Sequence, residues 1–139
     1  MNSSQPELTH TSRAYFRVTS SSMTLDEMIG VLGVAPSSGW SNGDRVTRGN
    51  GSFERVMTFS SWTLESPLGL DAPMHEKLES LYEPVLGLSW RLSGHDSLRC
   101  TLQLVQYFSE PGDLGFNLSN NWLSLLAAVG AEFDVDQYR

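Results

Sequence analysis

The amino-acid sequence predicts an α+β domain: a largely antiparallel sheet of four to five strands with helices packed on one face, in the order β-α-β-α-β-α-β. Three observations predict it. Segments that alternate apolar and polar residues interleave along the chain with segments of helical period. Every strand-like segment except the second has a single apolar face, as a sheet covered on one side requires. Finally, 139 residues, 40% hydrophobic and 18% charged, suit one globular domain with a real core and leave no room for a second.

Residues 1–13 are polar and read as a flexible tail, which leaves 14–139 as the single domain. Ala14 to Thr19 alternates and reads as a strand, with Phe16 and Val18 inward and Tyr15, Arg17 and Thr19 on the other face. Thr24-Leu25-Asp26-Glu27 has the form of a capping box. Leu25, Met28, Ile29 and Leu32 follow at helical spacing, and Gly33 provides the stop. From Ala35 to Ser52 the composition turns to Pro, Ser, Gly and Asn, the mark of a long loop that carries Trp40, Gly43, Asp44, Arg45 and Arg48. Val56 to Leu64 reads as a central strand, because Met57 and Phe59 lie on one face and Val56 and Trp62 on the other.

Met74, Leu78, Leu81, Tyr82 and Val85 form one helical stripe, with Glu76, Lys77, Glu79 and Glu83 largely outside it. Pro84 is expected to break or restart this helix, and Leu86 to Leu92 reads equally as a helical turn or a short strand. In Leu98 to Tyr107, Leu98, Cys100, Leu102 and Leu104 alternate with Arg99, Thr101 and Gln103, a strand with one wet face. Ser119 caps a last helix with Trp122, Leu125, Leu126 and Val129, and Gly130 ends it. The final strand sets Ala131, Phe133 and Val135 against Glu132, Asp134 and Asp136.

These pieces resemble a known bacterial family, the domain of unknown function numbered 4279. The resemblance lies in Leu32-Gly33-Val34 with Pro36-Ser37, Gly43-Asp44, Trp62-Thr63-Leu64-Glu65-Ser66, the helix from His75 to Pro84, and Gly130 through Tyr138. It covers nearly the whole chain after the tail. It implies a compact α+β domain in a bacterial protein, and no established activity, substrate or catalytic residue.

Composition narrows the function classes. The longest apolar runs are a few residues, against about 20 for a membrane-crossing helix, and the N-terminus lacks the pattern of a secretory signal. One cysteine, Cys100, excludes an intrachain disulfide, and a reducing, cytoplasmic setting is expected. His10, His75 and His95 have no zinc-site spacing, so no metal or cofactor is expected. The net charge of -7 is concentrated in the second half, and one basic residue of nine is lysine. That balance opposes nucleic acid and anionic membrane and favours a basic partner. No nucleophile elbow, phosphate loop, dinucleotide fingerprint or zinc-protease motif occurs, and Cys100 lies on an apolar strand face, so catalysis has no positive support.

Three constellations are candidates for binding. Glu132, Asp134 and Asp136 recur at i, i+2 on one strand face, about 7 Å apart, and call for either a cationic partner or pairing with Arg17 and Arg99. Tyr15, Tyr107 and Tyr138 project by parity with those arginines, which suits a recognition platform, a homodimer interface or ordinary half-exposed aromatics. Trp40, Asp44, Arg45, Trp62 and Glu65 would either frame a small-molecule pocket or serve as a turn and a core residue. His75, beside Glu76 and Glu79, reads as a general base or as a solvated side chain. The leading expectation is a non-catalytic protein-interaction module with an acidic surface, of the immunity type that neutralises a basic toxin. The alternative is a small-molecule-binding protein or enzyme with a pocket near Trp40, Asp44 and Trp62.

Overall fold

The computed structural model describes residues 11–48, 53–107 and 116–138. Alternation is unbroken over all ten residues of β1 (Thr11–Ser20), where each even-numbered side chain is buried and each odd-numbered one is half-buried. The strand starts at Thr11, so Thr11, Ser12 and Arg13 are sheet rather than tail. Helix α1 (Leu25–Leu32) begins in the reciprocal box of Thr24 and Glu27 and ends at Gly33, whose φ of 74° few residues except glycine adopt readily.

The polar stretch after α1 is not a continuous loop. It contains β2 (Ser38–Trp40), and β3 (Arg45–Arg48) pairs with β4 (Phe53–Val56) in a separate two-stranded ribbon. The strand expected from Val56 is therefore divided: Val56 ends the ribbon, and β5 (Ser60–Glu65) enters the main sheet. Residues 60–63 are buried on both faces, as expected of a central strand, and β5 runs between β2 and β1.

Helix α2 continues through Pro84 and spans Met74–Leu92, which resolves residues 86–92 as helix. Proline removes one backbone hydrogen bond and crowds the preceding turn, a cost of about 3 kcal/mol. Against it stands the stripe of Leu78, Leu81, Val85, Leu88 and Leu92, all buried, each stabilising by roughly 1.5–3 kcal/mol. Burial wins and the helix continues. Lys77 also departs from expectation, since it is buried at 1% exposure rather than solvated. Its Nζ donates to the carbonyl and hydroxyl of Ser12 and, at 3.0 Å, to the carbonyl of Leu70.

The last elements are β6 (Arg99–Tyr107), α3 (Asn120–Val129, capped by Ser119 and closed by Gly130) and β7 (Glu132–Tyr138). The main sheet has the order β2-β5-β1-β6-β7. Its pairings are antiparallel except β6 with β7, which is parallel because α3 lies in the crossover between them. Helix α2 lies over β1 and contacts both α1 and α3. One core unites Phe16, Val18, Trp62, Cys100, Leu102 and Leu104 of the sheet with Met28, Leu81, Val85 and Trp122 of the helices. All three helices thus share one side, and among the described residues no helix covers the other.

Candidate functional site

The uncovered face can be read directly from the strand registers. Thr63, Arg17, Thr101 and Glu132 form one line across β5, β1, β6 and β7, and Glu65, Tyr15, Gln103 and Asp134 form the next. Arg13, Val105 and Asp136 follow, then Thr11, Tyr107 and Tyr138. Side chains on paired positions point the same way, so all these residues share one face. Thr63, Gln103 and Val105 are nonetheless buried there.

Charge on this face is separated by strand. Arg13 forks onto Glu65 through Nε–Oε2 at 2.9 Å and Nη2–Oε1 at 2.8 Å. This hydrogen bond holds the Glu65 carboxyl below its ordinary range and raises the Arg13 guanidinium further. Arg17 makes no such pair among the described residues. Its Cζ lies 5.4 Å from the Tyr15 ring centre and 5.8 Å from that of Trp40. Two buried side-chain atoms lack a hydrogen-bond partner among the described residues, Arg17 Nε and Ser61 Oγ. Ser61 is the partner of Trp40 in β2 and of Thr19 in β1, one position of the same face away from the Arg17–Thr63 pair.

On β7, Asp136 accepts from Gln103 Nε2 at 3.1 Å, and none of Glu132, Asp134 and Asp136 makes an ion pair among the described residues. Arg17 and Arg99 therefore leave the row unneutralised. Between the two charged strands lies a concavity of about 380 Å³, with Tyr15, Arg17 and Phe59 on one wall, Thr101 and Gln103 as floor, and Glu132 and Asp134 opposite. At the far end, Tyr107 and Tyr138 stack with ring centres 5.4 Å apart.

The residues around Trp40 and Trp62 are dispersed. Trp62 is fully buried on the helix side and donates its indole N–H to Val34, whereas Trp40 stands on the uncovered face and donates to Phe59. Asp44 accepts from Ser41 N–H in a turn where Gly43 has φ 93°, and Arg45 pairs with Glu54 across the ribbon. Glu65 is held by Arg13. Trp40 and Trp62 thus lie on opposite faces of the sheet, while Asp44, Arg45 and Glu65 are each engaged by a neighbour of their own.

His75 lies exposed with Nε2 3.9 Å from Glu76, beside a groove of about 530 Å³ between α2 and α3 that Glu79, Tyr82 and Trp122 also line. Burial pushes the Cys100 thiol up to about 12, which keeps it unreactive. Among the described residues no three His, Cys, Asp or Glu side chains converge to hold a metal, and no helix is long and apolar enough to cross a membrane.

Sequence reading missed Arg13, Phe59 and the floor residues Thr101 and Gln103 as site residues. For Arg13 the signal was present, because the alternation of β1 extends back to Thr11. Phe59 has no such signal, since its place depends on the turn between the ribbon and β5. Comparisons with curated proteins and with solved structures give no match. A family model, the domain of unknown function DUF4279, matches residues 9–139, nearly the full chain. The chain therefore belongs to the DUF4279 family.

Proposed function

We propose that this protein is a non-catalytic interaction module that captures a basic protein partner on the uncovered face of its sheet. The observation that carries this reading is the row Glu132, Asp134 and Asp136, which no cation answers among the described residues. Three like charges spaced about 7 Å apart on one strand repel one another, and a cationic partner removes that cost. The stacked Tyr107 and Tyr138 and the arginine-flanked Tyr15 add the residue types that interfaces favour. A role as an immunity protein that neutralises a cationic toxin suits this chemistry.

The test is capture from native lysate with the tagged chain and with a variant carrying Glu132→Gln, Asp134→Asn and Asp136→Asn. The reading expects one basic protein held by the parent chain, released by salt and lost by the variant. Equal recovery by both forms, or none by either, refutes it.

A further inference from the structure

We propose that the concavity beside Arg17 binds a small zwitterion of amino-acid to dipeptide size, its carboxylate on Arg17 and its ammonium on Glu132 and Asp134. This reading shares Glu132 and Asp134 with the protein-partner reading but rests in addition on Arg17, which that reading does not use. Arg17 differs from Arg13, which is neutralised by Glu65: it makes no ion pair among the described residues, and its buried Nε–H lacks an acceptor there. Arg17 lines the concavity with its charge unneutralised by any described carboxylate, so a ligand carboxylate is the natural complement of its guanidinium. The Tyr15 and Trp40 rings lie within cation–π distance of the guanidinium, which favours a held Arg17 side chain ready for a forked carboxylate contact.

The opposite wall supplies the other charge. Glu132 stands in register with Arg17 through Thr101, and Asp134 with Tyr15 through Gln103. Two strand spacings of about 4.8 Å separate β1 from β7, too far for Arg17 and Glu132 to pair directly with upright side chains. Hydrogen bonds of about 2.8 Å at each end leave roughly 4 Å between the charges of a ligand seated between the walls, and somewhat more for one seated above them. One residue, at about 3.3–3.6 Å, matches the span between the walls, and two, at about 7 Å, suit a ligand seated above them. The volume of about 380 Å³ accommodates them. Gln103 is already engaged with Asp136, which leaves Glu132 and Asp134 to face the concavity.

Glycine, diglycine and triglycine form a ruler for the spacing, titrated into the full chain by calorimetry while the Arg17 Nε–H resonance is followed. Saturable binding is expected, strongest for glycine or diglycine and accompanied by a shift of that resonance. N-acetyl-diglycine and diglycinamide, each lacking one charge, should bind about tenfold or more weakly. Arg17→Gln and the pair Glu132→Gln with Asp134→Asn should lose affinity to a similar extent. If a variant fails to fold, the blocked ligands on the parent chain decide. Absence of saturable binding by all three zwitterions, blocked forms that bind as well, or folded variants that retain affinity would overturn the proposal. Arg17→Gln keeps the acidic row intact, so the same variant tested in lysate capture separates this proposal from the protein-partner reading.

Discussion

Lys77, the only lysine of the chain, has its ammonium matched by three neutral oxygens inside the protein. Desolvation by burial lowers its pKa, and the nearby Asp71 and Glu65 charges oppose that shift only in part. The ammonium nevertheless ties the start of β1, the loop at Leu70 and α2 together. Lys77→Met keeps the apolar stem but leaves these acceptors without the donor, so a loss of about 2 kcal/mol in denaturant unfolding is expected. Glu65 gives a second, pH-dependent expectation. Its folded pKa lies below the unfolded value because Arg13 bonds to the carboxylate, so the stabilisation is present above pH 4.5 and is lost as pH falls through the folded pKa. Both partners are partly exposed, which limits the effect to about 0.5–1 kcal/mol. Stability curves of the parent chain and Glu65→Gln should therefore differ at neutral pH and converge in acid.

At the scale of elements, two positions set the length and placement of secondary structure. Pro84 interrupts the hydrogen bonding of α2, so Pro84→Ala should raise unfolding stability by about 1–3 kcal/mol. Gly39 lies where β2 approaches β5: an added Cβ would collide with the Ser61 carbonyl and come within 3.1 Å of Leu25. Gly39→Ala should shift β2, cost about 1–3 kcal/mol and alter the fluorescence of Trp40, which follows it. These positions also show where sequence reading stops. The cap of α1, the alternation of β1 and the acidic parity of β7 are local signals found in the structure. By contrast, β6 alternates only from Arg99 to Leu102 and is then buried on both faces through Gln106, so its expected wet face is only partial. Continuation of α2 past Pro84 depends on tertiary burial, which no window of sequence contains. Likewise β2 is three residues in a polar stretch, and its pairing with β5 brings Trp40 to Arg17. Parity placed Arg17 and the acidic row on one face; their line through Thr101 required the strand order.

Across the whole molecule, the five-stranded sheet divides the protein into two unlike sides. The helical side encloses the core and carries its own acids, Glu76, Glu79 and Glu83, exposed on α2. The sheet side combines the acidic row with arginines and tyrosines. Net charge alone would attract a basic partner to either side. Location distinguishes a recognition face from general acidity. The most direct measurement compares two charge-matched variants in capture of the basic partner: Glu132→Gln, Asp134→Asn and Asp136→Asn on the sheet, and Glu76→Gln, Glu79→Gln and Glu83→Gln on α2. Recognition by the sheet face predicts that the first loses the partner and the second retains it. Equal loss in both, or loss only from the α2 variant, would contradict that placement.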